Sequence, residues 1–460
     1  TKWLCLAFAF TLAVTSALAI SVDVKKKPGD SDWVPTSTTV LEDVFDYTAT
    51  QTPTARDIYG GNPGNPGKAT GFFRVEPSGS RDFRLRDPLG NEFFSIGVSA
   101  VNPGKGPNAL KAAAERYNSD RSAWARETAA LLHTNYFNTL GAWSDFASFK
   151  ASSDTRFPYC TQLSLMASYG KEKKITTVRP GHAGFPDDCI PVFDPEFAAF
   201  CEQRTAELLK DTKDDPWLLG HFSDNELPFS GTALDRFFRQ EAGSPGRLAA
   251  EKWAAERKLQ PDADGKFDAS SNRAFLGFVA ETYYRIVSEA IRKADPNHLY
   301  LGSRLYSNNR SQREVLAACG KYADVVSFNF YGQWTPDSGI MTDWVKWSGR
   351  PFMITEFYAK AMDSGLQNLS GAGWVVRRQL DRGYFYQNFT IGLLRQPGCV
   401  GFHWFRYQDN DPDDTAVDPS NRDANKGIVG IDYSPYGPLL DRMLSLNDNV
   451  YKLLSFYRGR

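Results

Sequence analysis

Sulfur, histidine and net charge are all scarce in this sequence, and each shortage excludes a class of chemistry. The five histidines (133, 182, 221, 298 and 403) form no His-Glu-x-x-His and no close pair, which disfavours a metallohydrolase. Six cysteines include no Cys-x-x-Cys, so neither a zinc ribbon nor a thioredoxin-like site is expected. No metal and no cofactor is implied. A serine hydrolase is disfavoured by the lack of a Gly-x-Ser-x-Gly elbow. Gly67-Lys68 is followed by Ala69, where a phosphate loop needs Ser or Thr. Lys and Arg total 53 against 54 Asp and Glu, a net charge of -1, which leaves no basic footprint for nucleic acid. Beyond residue 20 no run of 18 apolar residues occurs, so no membrane partner is expected after export.

Aromatic side chains are plentiful. The 11 Trp, 20 Tyr and 32 Phe make 14% of the chain. Most such rings fill cores, and some serve as platforms for flat-faced ligands such as sugars.

Residues 1–19 read as an export signal. Lys2 precedes an apolar run from Leu4 to Val14, and Ala17-Leu18-Ala19 is a small-x-small cleavage site. The protein is accordingly expected to be secreted. Removal of Cys5 would leave Cys160, Cys189, Cys201, Cys319 and Cys399, an odd set that allows one or two disulfides and a free thiol. Asn309, Asn368 and Asn388 stand in Asn-x-Ser/Thr sequons and are candidate glycan sites.

Residues 20–82 are polar and rich in Pro, Gly and Thr, and read as an extended lead-in. Phe83 to Phe94 reads as a hairpin around Pro-Leu-Gly-Asn. Short apolar strands then alternate with helical patterns. The strands are expected at 93–98, 136–140, 163–168, 218–223, 299–304, 325–330, 352–355 and 400–405. Helical patterns cover 121–133, 196–210, 273–293, 313–319 and 374–388. Eight such units predict an α/β fold, a (β/α)8 TIM barrel over 83–460 with a short N-terminal extension and hairpin. An open nucleotide-binding sheet would need a glycine-rich first turn, and Gly97-Val-Ser-Ala-Val is not one.

In such a barrel the chemistry sits at the C-terminal strand ends. Those ends carry Trp143 and Asp145, then Asn225 and Glu226, Arg304, Asn329 and Tyr331, Glu356, and finally His403, Trp404 and Asp409. A single glutamate there is usually a surface or ion-paired carboxylate. Two of them, 226 and 356, on one mouth with Asn225 and aromatics nearby supply what glycoside hydrolysis needs: one protonated carboxyl and one ionised.

Asn-Glu after the fourth strand and Thr-Glu-Phe after the seventh resemble clan A glycoside hydrolases. Phe137-Asn-Thr-Leu-Gly-Ala-Trp-Ser-Asp145, Phe193-Asp-Pro-Glu-Phe197, His221-Phe-Ser-Asp-Asn-Glu226, Asp295-Pro-Asn-His-Leu-Tyr-Leu-Gly-Ser-Arg304 and Gly401-Phe-His-Trp-Phe-Arg-Tyr-Gln-Asp409 resemble the β-agarase branch. About fifty residues precede the hairpin, where members of that branch carry an N-terminal β-sandwich domain. The resemblance implies a retaining mechanism, with Glu226 as acid/base and Glu356 as nucleophile. It also implies that Asn225 faces the sugar 2-hydroxyl. Substrate-binding roles are expected for Asn225, Trp143, Asp145, Arg304, Asn329, Tyr331, His403, Trp404 and Asp409. Trp404 is expected to floor the subsite where the bond is cut. Tyr331 or Arg304 is expected to keep Glu356 ionised, while the closeness of that charge and partial burial raise Glu226. The partner is then a polysaccharide or oligosaccharide with β-glycosidic bonds. An exo-β-galactosidase, a transglycosylase and a non-catalytic carbohydrate-binding barrel are the alternatives.

Export is expected to remove residues 1–19. Intact mass of the secreted chain should start at Ile20, and a mass that retains Lys2 overturns the reading.

Overall fold

The computed structural model describes residues 20–49, 52–79, 81–179 and 182–459. The export signal and Cys5 lie outside the described residues. Eight parallel strands form the central sheet: β1 Ser95–Ser99, β2 Thr139–Leu140, β3 Tyr159–Gln162, β4 Leu218–Phe222, β5 Leu299–Tyr300, β6 Val326–Asn329, β7 Phe352–Glu356 and β8 Cys399–Phe405. They pair in sequence order, and β8 returns to β1 through Gly401↔Ser95 to Phe405↔Ser99. Leu305, just past β5, bridges Phe328 on β6 and closes the ring. The fold is a (β/α)8 barrel.

Strand three differs from its expected place. Residues 163–168 hold Leu, Met and Ala, which favour helix, and Leu165–Glu172 is a helix; the strand is Tyr159–Gln162, one step earlier. The buried Asp224 carboxylate accepts from Met166 N (2.9 Å) and Ala167 N (3.1 Å) and so caps that helix. The pattern at 374–388 also splits, into a strand at Trp374–Val376 and a helix at Gln379–Leu394.

The lead-in is a structured belt. Ile20–Lys25 pairs with Val34–Thr38 and with Trp374–Val376, which in turn pairs with Ala359–Ala361 just beyond β7. The chain then runs along the helix Gln379–Leu394, where Thr39 N and Leu41 N donate to Asn388 and Gln387. At the opposite end of the barrel, Arg56 donates to Tyr136 O and Asn447 O. The hairpin Phe83–Arg86/Asn91–Phe93 forms as expected within a four-stranded sheet with Asn62–Pro66 and Arg74–Pro77. It lies under the barrel floor, where Phe83 N donates to Pro397 O (3.3 Å) ahead of β8.

Several polar residues serve packing. His221, Asp295 and His298 are fully buried and close enough to suggest a metal site. All four ring nitrogens are occupied by Thr161, Asp295 and the Asp215 carbonyl at 2.7–2.9 Å. The cluster is therefore a strut that ties β3, β4 and the approach to β5. Burial would raise the Asp295 carboxyl, but the two imidazoles outweigh it and hold it well below the usual range. Cys160, Cys189, Cys201, Cys319 and Cys399 are all buried free thiols. Asn368 and Asn388 are buried and hydrogen-bonded, which leaves no room for a glycan on either.

Asp295→Ala should lower stability by about 3 kcal/mol or more, since it strands two buried imidazoles. Urea unfolding at pH 7 checks this, and a loss below about 1 kcal/mol contradicts it.

Candidate active site

The mouth is built from backbone turns of a shared kind. Beyond each of β1 to β5 one non-glycine residue takes a left-handed conformation: Ala100 (φ 52°), Trp143 (61°), Ser164 (52°), Glu226 (53°) and Arg304 (53°). Each costs on the order of 1 kcal/mol. These reversals swing Trp143, Glu226 and Arg304 off the strand direction and toward the barrel axis.

Glu226 and Glu356 line one cavity of about 510 Å³, together with Asn225, Trp143, Tyr331, Tyr306, Tyr358 and Phe405. Both oxygens of Glu356 are held. Arg304 Nη2 donates to Oε1 at 2.6 Å and the Tyr331 hydroxyl donates to Oε2 at 2.6 Å. Arg304 is itself fully buried, fastened to Thr355 Oγ1 and O at 3.3 Å, and stacked 4.1 Å under the Trp143 ring. Asn329 Nδ2 donates to Glu226 Oε1 at 2.6 Å and to Asn225 Oδ1 at 3.1 Å, while its own Oδ1 accepts from Thr355. A single amide thereby sets the positions of both residues of the Asn-Glu pair.

The electrostatics depart from expectation at one point. Burial acts on Glu356, which is 5% exposed, and pushes its carboxyl up to about 7. Arg304 pulls it down, the nearby Glu226 charge pushes it up, and Tyr331 and Lys426 pull it down. Glu356, expected to stay ionised through its two donors, is thus raised by burial in spite of them. Two carboxyls this close titrate as a pair.

Two of the expected site residues, Trp404 and His403, line neither chamber of the mouth. Trp404 is fully buried and faces outward, against Phe385 and Tyr386 of the covering helix, with Nε1 on Lys426 O (2.9 Å). Side chains alternate along a strand, so the cavity receives its neighbour Phe405. His403 points inward but lies deep in the barrel, bonded to Ser95 Oγ (2.8 Å). A Cβ on Gly97 would meet its ring at 2.4 Å, which is why glycine stands there. Burial, with Arg304 nearby, lowers His403 to about 3 and keeps it neutral. Asp409 lines an adjoining chamber, but its oxygens are occupied by Asn425, Gly427 N and the Tyr436 hydroxyl, and it anchors the segment after β8. Arg304 is too buried to touch a sugar and acts on Glu356 instead. Asp145 lines an adjoining chamber of about 620 Å³ and pairs with Arg121 at 2.7 Å. Trp143, 40% exposed, lies on the border of both chambers.

Sequence reading missed Tyr306, Tyr358, Phe405, Arg406 and Lys426. Tyr358 and Phe405 lay within two residues of chosen positions. Lys426 sits in a polar segment without periodicity, where nothing marks one cation over another.

No model of a known protein family matches the chain. A solved structure described as BpGH50 superposes with a TM-score of 0.84 at 30% identity, over 95% of this chain and 96% of that one. The chain belongs to the GH50 glycoside hydrolases. Beta-agarases B and A of Vibrio sp. (strain JT0107) are each 26% identical over 86% of it. The chain spans about half the length of these two curated relatives (50% and 48%). An exo-β-agarase structure shares the fold, with a TM-score of 0.71 at 22% identity over 88% of this GH50 chain and 69% of that one.

Infrared titration of the carboxyls should show a step near pH 7 from the Glu226–Glu356 pair. Glu226→Gln removes a like charge and should move the step down; Tyr331→Phe removes a donor to the carboxylate and should move it up. Shifts of the opposite sign contradict the arrangement.

Proposed function

We propose that this chain is a secreted retaining glycosidase that cleaves β-glycosidic bonds of an agar-type galactan by double displacement. The observation that carries the reading is the shared cavity in which both Glu356 oxygens are held by Arg304 and Tyr331, while Asn329 holds Glu226.

In this mechanism a Glu356 oxygen attacks the anomeric carbon as the bond to the leaving oxygen breaks, and Glu226 delivers its proton to that oxygen. Water then attacks the glycosyl-enzyme, Glu226 takes the water's proton, and the Glu356 carboxylate departs. The reading requires the pair's one proton to reside on Glu226. Donors on both Glu356 oxygens favour that placement, because a guanidinium cannot accept a hydrogen bond from a carboxylic acid. As pH rises through about 7 the pair loses this proton, no acid remains, and activity falls. Asn225 Nδ2 donates to no protein atom among the described residues and is available to the 2-hydroxyl. Trp143, already packed on Arg304, offers its exposed ring as the sugar platform in place of Trp404. The agar-type substrate rests on the names of the Vibrio relatives, and secretion on the N-terminal signal.

Retention requires carboxyls about 5–5.5 Å apart. Glu356→Ala should abolish turnover, with azide rescuing it as the opposite anomer. Glu226→Ala should lose about 10²–10⁴-fold on natural glycans yet keep cleaving activated aryl glycosides, and azide should then give retained configuration. A first-formed product of inverted configuration by NMR, or full activity in Glu356→Gln, defeats the proposal.

A further inference from the structure

The wall of the cleft opposite the Asn-Glu turn holds two cations with no carboxylate directly paired to either among the described residues. Arg406 and Lys426 both line the glutamate cavity, and Arg406 also lines the adjoining chamber past Trp143. Among the described residues neither makes an ion pair. Lys426 Nζ is met by neutral acceptors, Ser420 O at 2.7 Å and Asn421 Oδ1 at 3.1 Å. Arg406 Nε has no partner.

The other buried arginines near the mouth each meet a counter-charge or several acceptors, although Arg304 Nη1 has no partner. Arg304 pairs with Glu356. Arg382 donates to Ala359 O, Gln379 Oε1 and Gly427 O at 2.7–2.8 Å. Asp409 and Asp414 exert a through-space pull on Arg406, but the Asp409 oxygens are already committed to Asn425, Gly427 and Tyr436. Burial depresses Lys426 to about 7; Arg406 and Lys360 press it down further, while Glu356 and Asp418 pull it back up. Two cations side by side, one with an unmet donor and neither directly paired with a carboxylate, destabilise this wall while the cleft is empty.

We propose that the cleft contains a binding site for an oxyanionic substituent on the sugar, a sulfate ester or a carboxylate, held by Arg406 with Lys426 beside it. The guanidinium fork matches two oxygens of such a group, and the ammonium adds a point charge. A neutral hydroxyl could satisfy Arg406 Nε but would leave both charges uncompensated. Because Arg406 borders both chambers, the charged sugar spans from the cutting site toward Trp143. The proposal rests on the glycan reading of the cleft and narrows its substrate class to charged galactans.

The test uses the full chain and pairs of oligosaccharides identical in sugar and linkage, one neutral and one carrying a sulfate ester or a uronate carboxylate. The kcat/KM of the charged member should exceed that of the neutral one by about tenfold or more. The preference should shrink with added sodium chloride, collapse in Arg406→Gln and partly return in Arg406→Lys. The substituent giving the larger ratio names the ligand. A wild-type ratio at or below one, or a ratio unchanged in Arg406→Gln, overturns the inference. If Arg406→Gln does not fold, Arg406→Lys and the salt dependence of the wild type decide. If no member is cleaved, the glycosidase reading fails separately. Calorimetric binding of the same pairs to the wild type then decides this site, and equal affinities overturn it.

Discussion

Arg304 and Glu356 form an ion pair inside the barrel, and much of the mouth is shaped by the requirement to keep it. A guanidinium with no exposed surface is stable only if its charge and most of its donors are met, and here Nη1 alone lacks a hydrogen-bond partner. Thr355 supplies two acceptors, Glu356 the counter-charge and Trp143 a ring face. Burial, with this cation adding to it, keeps the neighbouring His403 neutral. Left-handed turns at Trp143 and Arg304 are the backbone's contribution. Strain of this size persists because surrounding contacts over-determine it.

The polar residues at the strand ends divide by task. Asp224 caps the helix Leu165–Glu172 and accepts from the Tyr283 hydroxyl, so it fixes the base of the turn that carries Asn225 and Glu226. Asn329 and Thr355 link β6 to β7 and position both glutamates from neighbouring strands. The N-terminal belt reaches from the strand that follows β7 down to the floor, and so it ties the two ends of the barrel together. A rigid support of this kind holds catalytic groups near a productive geometry.

Most of the barrel was legible from the alternation of short apolar strands with helical stretches. Strand three was not, because Leu163, Leu165 and Met166 are apolar in either structure while the true strand, Tyr-Cys-Thr-Gln, is half polar. At the site, Glu226, Glu356, Asn225, Asn329, Tyr331 and Trp143 were readable as interruptions at strand ends, and the structure brings them together. Trp404 was misplaced because a strand's two faces differ by one residue, and nothing in Phe-His-Trp-Phe-Arg says which face turns inward. That burial also raises Glu356 was not legible, since burial is a property of packing.

The sequence by itself determined the class: a balanced, aromatic-rich chain with eight strand–helix units and two glutamates 130 positions apart at strand ends. Those features are local, and local patterning is written residue by residue. Tertiary structure alone decided which donors meet each carboxylate, that Phe405 rather than Trp404 faces the cleft, and that Arg406 and Lys426 share a wall with no directly paired carboxylate among the described residues. Each of those facts depends on distances between segments far apart in the chain, and only closure of the barrel sets them.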